Sequence, residues 1–148
     1  MLRHEATHAA LHNAYSDSRK LPFWADEGIA CLMETLPGGL KTPPGNIERL
    51  QLVHYLQDRD QTLNFTGLVK NPHKRIRSGE VYARSWALTS CLYHNKRPVK
   101  SFLLHSLRAR HNTAVAIFNE TLLKQDESFA DFENDCYDWL YSFKNSSH

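Results

Sequence analysis

The first twelve residues of the chain contain side chains that can bind a metal ion. They read MLRHEATHAALH, in which His4, Glu5 and His8 form the pattern H-E-x-x-H. Residues four apart lie on the same face of a helix, about one turn from each other, so the two imidazoles can reach one ion. Neutral imidazole is a preferred ligand of zinc. Glu5 lies roughly 100° around the helix from His4, so its carboxylate can reach a water on the metal without binding the metal.

A catalytic zinc site requires a third protein ligand and a coordination position that stays open. The second informative stretch reads LPFWADEGIACLMETL and places Glu27 after His8, with 18 residues between them. His12 continues the helix face of the first two histidines. We expect it to be a polar neighbour of the site rather than a ligand.

These two stretches resemble the gluzincin zinc metallopeptidases of clan MA. The likeness lies in H-E-x-x-H, the eighteen-residue spacing and then Glu27 within W-x-x-E-G-x-A. A third stretch, EVYARSWAL, adds Tyr82, which is similar to the tyrosine of the family's Y-x-x-[GS] motif. The chain is similar to small bacterial gluzincin-like domains that share these motifs and a helical tail, and the resemblance spans most of its length.

The resemblance implies a role for each matching residue. The implied ligands of one Zn²⁺ are His4, His8 and Glu27. Gly28 and Ala30 would be small so that the helix of the third ligand can approach the helix of the first two. Glu5 would take a proton from the attacking water and deliver it to the leaving amine. Tyr82 would donate a hydrogen bond to the oxyanion. The implied reaction is hydrolysis of peptide bonds in a peptide or protein substrate.

The sequence departs from the family pattern in two places. Many relatives have an acidic residue four positions after the third ligand, where it supports a ligating histidine, whereas this position holds Cys31. Asp26 and Glu34 are candidate replacements for that carboxylate. The family also builds a β-sheet before the active-site helix, and an edge strand of that sheet binds the substrate. We expect an upstream domain or a partner chain to supply this sheet.

The hydrophobic pattern predicts a mainly α fold. Apolar residues recur at helical spacing, Gly and Pro fall between the periodic segments, and nothing indicates a β-hairpin. The predicted helices cover 2–16, 25–36, 47–58 with Asn46 or a neighbour as its cap, 80–94, 98–109, 113–123 and 128–143, and residues 59–79 are predicted to be rich in loops. The resemblance implies a single zincin-like domain over 1–148 without its sheet, with active-site helices over about 2–36 and a C-terminal helical subdomain over about 46–143.

The last predicted helix has a clear apolar face. It carries apolar residues at steps of three or four, namely Phe129, Phe132, Cys136, Trp139 and Phe143. This stripe predicts a face buried in the core, with an interface as the alternative. The cysteines are isolated in sequence, so they are expected to be buried packing residues rather than a disulfide framework or a thiolate site; they are Cys31, Cys91 and Cys136.

The charge and hydropathy of the chain argue against some classes of binding partner. The net charge of +2 is too small to indicate binding of nucleic acid. A basic cluster lacks a helical stripe and interleaved aromatic residues and is expected to be a solvated loop; it contains Lys70, Lys74, Arg75 and Arg77. No apolar run approaches the roughly eighteen residues of a membrane span. Free thiols favour a reducing compartment, so the cytoplasm is the default location, with export open if the natural N-terminus lies upstream.

Two functions remain open on the sequence alone. The first is a zinc-dependent peptidase. The second is a non-catalytic zinc-binding or interaction module that derives from such a peptidase or is a fragment of one. Both share the metal ligands and differ in whether a substrate cleft lies beside the zinc. A basic helical nucleic-acid binder with an accidental motif is disfavoured, and it would show strongly salt-dependent binding and no zinc.

Overall fold

The protein is mainly α-helical in the part that the computed structural model describes, which comprises residues 2–15, 21–34, 46–72, 78–108 and 114–145. Within these ranges there are eight α-helices and no β-strand. The helices are α1 (Leu2–Ala14), α2 (Phe23–Met33), α3 (Ile47–Asp60), α4 (Phe65–Lys70), α5 (Gly79–His94), α6 (Val99–Arg108), α7 (Ala114–Leu122) and α8 (Phe129–Ser142), and a 3₁₀ turn follows at Phe143–Asn145. The predicted mainly α class is confirmed.

Polar side chains define where several helices begin. Asn46 caps α3 as predicted, because its side-chain Oδ1 accepts a hydrogen bond of 3.1 Å from the backbone N–H of Arg49. Ser128 and Asp131 form a reciprocal capping box at the start of α8. Such caps satisfy backbone N–H groups that have no partner within the helix, and each is worth about 1 kcal/mol. Short polar residues before the apolar runs therefore fix these helix starts.

Helices α2 and α5 pack closely along the centre of the fold. The ring of Phe23 at the start of α2 lies 6.2 Å from that of Tyr82. Further along α2, a Cβ on Gly28 would collide with Thr89 Oγ1 and with the carbonyl oxygen of Ser85. The expectation that Gly28 lets α1 approach α2 is therefore wrong, because Gly28 faces α5. A backbone-to-backbone approach of this closeness leaves no room for a side chain.

Helix α1 lies on α2 and is more exposed than the other long helices. None of its residues is buried. Leu11 on α1 and Tyr15 after it are partly buried against the core, and three histidine side chains of α1 contact carboxylates of α2. The polar site described below is therefore an important part of what holds α1 in place.

The C-terminal helices close the core through aromatic side chains. Phe118 on α7 is fully buried, and its ring contacts four others, those of Trp24, Phe102, Phe129 and Phe132. This cluster joins α6, α7 and α8 to α2. The stripe predicted for α8 faces the core, with Phe132 and Cys136 fully buried and the other members partly buried against it. All three cysteines are buried and free, as predicted.

The structure departs most clearly from the predicted helices at α4 and at the start of α2. The stretch 59–79, which was predicted to be rich in loops, contains α4. This helix is too short to show a helical repeat of apolar residues, and burial of Phe65 and Val69 stabilises it. Helix α2 begins at Phe23 rather than Ala25, because the carbonyl of Pro22 already accepts hydrogen bonds from the third and fourth helical amides, those of Ala25 and Asp26. Lys70 of the basic cluster is exposed at the end of α4. Several predicted features lie outside the described residues, namely the loops at 16–20, 37–39 and 41–45 and the basic residues Lys74, Arg75 and Arg77.

Among the described helices, none combines the length and the apolar character needed to cross a bilayer.

Candidate metal centre

Three ligand atoms from α1 and α2 converge on one point. The Nε2 atoms of His4 and His8 lie 3.1 Å apart. Glu27 Oε2 lies 3.3 Å from the first and 3.5 Å from the second. The two histidines are one turn apart on α1, and Glu27 faces them from the middle of α2. The tertiary structure therefore brings together the three residues that the sequence predicted as metal ligands.

This triangle has the dimensions of a metal site. Ligand atoms at about 2.0–2.1 Å from a tetrahedral zinc ion lie about 3.3 Å from one another, and the three edges here are 3.1, 3.3 and 3.5 Å. Glu27 Oε2 is buried and has no hydrogen-bond donor. A buried carboxylate oxygen without a partner is costly, and a cation bound between these atoms would remove that cost. The residues therefore fit a divalent metal ion.

His8 is oriented by Asp26, the residue before the candidate third ligand. His8 Nδ1 donates to Asp26 Oδ1 at 2.9 Å. A hydrogen on Nδ1 leaves the lone pair of Nε2 free for a metal, and a carboxylate acceptor makes that nitrogen more basic. The Asp26 side chain is only 8% exposed, so water screens this contact little. Asp26 thus orients His8 from the position directly before Glu27.

His4 has a carboxylate of its own, from the end of α2. Glu34 Oε1 lies 2.8 Å from His4 Nδ1. No hydrogen bond joins these two atoms, and His4 Nδ1 is buried without a hydrogen-bond partner among the described residues. Asn46 holds Glu34 from the other side, because its Nδ2 donates to Glu34 Oε2 at 3.1 Å. Both acids that the sequence offered as replacements for a carboxylate at Cys31 therefore contact a candidate metal ligand.

Two other groups of side chains have ligand atoms within 4.8 Å of one another, His4 with Cys31 and Glu34, and His8 with His12 and Asp26. The first contains the Cys31 thiol, whose pKa burial raises to about 12, so a metal ion bound there would first have to displace the thiol proton. The second would use the Nδ1 atom by which His8 already holds Asp26. The triangle at Glu27 requires neither a thiolate nor the Nδ1 atom of His8 and is therefore the favoured metal site.

His12 lies at the edge of the site, as expected. Its side chain is 46% exposed, and its Nε2 lies 3.5 Å from Asp26 Oδ2. The ring centroid lies 6.0 Å from that of His8. His12 is thus a polar neighbour that contacts the carboxylate which orients His8.

The two residues with implied catalytic roles lie on different elements. Glu5 is exposed on α1, next in sequence to His4. Tyr82 is partly buried in the first turn of α5 and packs against Phe23, which is one turn before Glu27 on α2. Tyr82 thus lies near the N-terminal end of α2. It belongs to α5, the helix that packs against α2, which carries Glu27.

Sequence reasoning missed one charged residue beside the site. Arg49 on α3 places its guanidinium carbon 5.5 Å from the centre of the Tyr82 ring, and its positive charge lies beside the Cys31 thiol, whose pKa it lowers. The sequence contained one signal, which is the presence of Arg49 in the first turn of a predicted helix. A cation there opposes the helix dipole and is disfavoured. Only the tertiary structure connects this position with α2.

No family model, curated protein or solved structure matches this chain. What the protein does therefore has to be inferred from the chemistry of its own residues.

Proposed function

We propose that the protein is a zinc-dependent peptidase of gluzincin type. One observation carries the proposal: the Nε2 atoms of His4 and His8 and the Oε2 atom of Glu27 form a triangle with edges of 3.1, 3.3 and 3.5 Å. Two imidazoles and one carboxylate are the donor set of catalytic zinc in several peptidases, and they leave a fourth position for water or substrate. The resemblance of the surrounding motifs supports the same class.

The ligand set favours zinc over other divalent ions. Imidazole nitrogen suits zinc, whereas magnesium and calcium prefer sites made of oxygen only. When bound, zinc would supply a Lewis acid that lowers the pKa of a bound water to about 7. Asp26 would keep the imidazole ring of His8 in its present orientation through its hydrogen bond to Nδ1, while Glu34 would lie beside the ring of His4.

The remaining steps belong to side chains of the chain itself. Glu5 would accept the proton of the attacking water and later donate it to the leaving amine. Its exposed position leaves the carboxylate accessible to water and substrate. Tyr82 would donate a hydrogen bond from its phenol to the carbonyl oxygen as negative charge develops there. An extended peptide would still need a wall to lie on, which we propose an upstream domain or a partner chain supplies.

The decisive experiment combines zinc analysis with a hydrolysis assay. Elemental analysis of the purified protein should find one zinc per chain, and Glu27→Ala should lose it. A fluorogenic peptide library should be cleaved by the wild type. Glu5→Gln should abolish cleavage while it retains the zinc, because this change removes the base and leaves the ligands in place.

Glu48→Gln is a matched control, because Glu48 is exposed in the first turn of α3 and none of the site contacts given above involves it. This variant should retain both zinc and cleavage. Zinc binding without cleavage of any peptide would instead favour the non-catalytic zinc-binding module. Absence of zinc from the wild type after incubation with the metal would contradict both functions.

A further inference from the structure

Arg49 connects the candidate metal centre with Tyr82. Its guanidinium carbon lies 5.5 Å from the centre of the Tyr82 ring, and its side chain lies beside the Cys31 thiol, whose pKa its charge lowers. The Cys31 sulfur is itself within 4.8 Å of ligand atoms of His4 and Glu34. The positive charge of Arg49 therefore lies next to the metal-binding side chains, on the side where Tyr82 packs.

The position of Arg49 is fixed by the same residue that holds Glu34. Asn46 accepts a hydrogen bond from the backbone N–H of Arg49 and donates one to Glu34, both at 3.1 Å. Asn46 is itself buried. The start of α3 is thereby attached to the end of α2, which places the backbone of Arg49 relative to Glu34.

Arg49 is a cation without a carboxylate partner among the described residues. Three other arginines, Arg59, Arg84 and Arg97, each have an acidic side chain at 2.8 Å or less. The Arg49 side chain instead contacts a neutral thiol and the face of an aromatic ring. Such contacts hold a guanidinium in place while its charge and part of its N–H fork stay available for an anion.

We propose that Arg49 binds a carboxylate of the peptide substrate, so that the enzyme prefers peptides with a free carboxylate close to the scissile bond. The guanidinium fork matches the two oxygens of a carboxylate and can bind both of them. This proposal rests on the proposed peptidase function and names its substrate class. The carboxylate is that of a C-terminus or of an acidic side chain, and the experiment distinguishes these two sources.

The test measures binding rather than turnover. The zinc-loaded Glu5→Gln protein, which should not cleave peptides, is titrated calorimetrically with three probes. The first is N-acetyl-Gly-Phe-Ala as the free acid, the second is its carboxamide, and the third is N-acetyl-Gly-Phe-Asp carboxamide. We expect at least one carboxylate probe to bind roughly 10- to 100-fold more tightly than the neutral carboxamide, as is typical of a charged hydrogen bond. A preference for the first probe indicates a C-terminal carboxylate, and one for the third indicates an acidic side chain.

Two variants assign this preference to Arg49. Adding Arg49→Gln should abolish the preference and leave one zinc per chain, whereas Arg49→Lys, which keeps the charge but not the planar fork, should retain part of it. Arg59→Gln is the matched control. It removes an equal charge from the far end of the same helix, where Arg59 pairs with Asp60 and Glu80, and it should keep the full preference.

Three results would overturn the inference. The first is equal binding of all probes, and the second is a preference for carboxylate probes that survives Arg49→Gln. The third is loss of zinc in both Arg49 variants, which would mean that Arg49 only supports the metal ligands. Its failure is distinguishable from that of the proposed function. Wild type that cleaves the carboxamide as well as the acid contradicts only the role of Arg49. If the protein prefers carboxylate probes but cleaves no peptide, only the proposed peptidase function is contradicted.

Discussion

Two carboxylates from different parts of α2 support the histidines of the candidate metal centre. Asp26 accepts from His8 Nδ1 at 2.9 Å, and Glu34 lies 2.8 Å from His4 Nδ1. Each imidazole therefore has its Nε2 directed toward Glu27 and its Nδ1 beside an acid. Position 31, four residues after Glu27, holds a thiol whose pKa burial raises to about 12.

Asp26→Asn should weaken zinc binding by roughly 10- to 100-fold, because an amide still accepts the hydrogen bond but carries no charge to make the imidazole more basic. Competition with a chromophoric chelator measures this change in Kd. Asp58→Asn is the control, since Asp58 is exposed and pairs with Lys144 away from the site, and it should leave the Kd unchanged. A Kd within twofold of the wild type for Asp26→Asn would show that Asp26 does not act on His8.

At the scale of elements, the contact between α2 and α5 positions the third ligand. Gly28 follows Glu27 directly and meets the α5 backbone at Ser85 and the side chain of Thr89. Because Glu27 and Gly28 point in different directions from the same turn, the fit against α5 determines how far Glu27 extends toward α1.

Gly28→Ala should lower the free energy of unfolding by about 1–3 kcal/mol, because the added methyl group collides with backbone that cannot rotate away. Chemical denaturation of the zinc-free protein measures the loss. In Gly79→Ala, the matched control, the new methyl group would meet only Leu52 Cδ2 at an ordinary 3.6 Å, so this variant should be as stable as the wild type or slightly more stable. Equal stability of both variants would contradict the close approach of α2 and α5.

Helix α1 should depend on the metal for its stability. It has 13 residues, none of them buried, and a helix of that length is marginal by itself in water. Bound zinc would link His4 and His8 to Glu27 on α2. With free zinc at about 100 times its Kd, the linkage stabilises the bound form by about 2.7 kcal/mol.

Hydrogen exchange followed by mass spectrometry tests this dependence. Zinc should slow exchange in the α1 amides by up to about 100-fold and affect the central α5 amides much less. His8→Ala, which removes one ligand, should show no such effect. Unchanged α1 exchange in a protein that demonstrably contains zinc would mean that α1 is held by other contacts.

For the whole molecule, one aromatic cluster links the metal-binding helix to the C-terminal helices. Trp24, three residues before Glu27, contacts Phe102 and Phe118 at ring distances of 5.4 and 5.9 Å. The ligands on α2 are therefore anchored in the core that α6, α7 and α8 complete.

Phe118→Ala should lower the free energy of unfolding by about 3–5 kcal/mol, since a fully buried ring is lost and a cavity remains. Thermal denaturation should show a large drop in Tm. Leu104→Ala on α6 serves as the control, because Leu104 is 40% exposed. This variant should lose far less free energy of unfolding. A drop of similar size in both variants would show that the cluster is not the centre of the core.

The sequence by itself determined the features that depend on local spacing. Helical periodicity, Asn46 as a cap and the pairing of His4 with His8 follow from residues within one or two turns of each other, where backbone geometry leaves little freedom. The resemblance then indicated Glu27, which spacing alone could not connect to the histidines.

The tertiary structure decided everything that requires separate elements to meet. It placed Gly28 against α5 rather than α1, brought Glu34 to His4, and attached Arg49 on α3 to the end of α2. These contacts depend on how buried faces of several helices pack at once, and no short stretch of sequence contains that information. The ligands were therefore visible in the sequence, whereas the residues that orient them and the cation beside them became visible only in the fold.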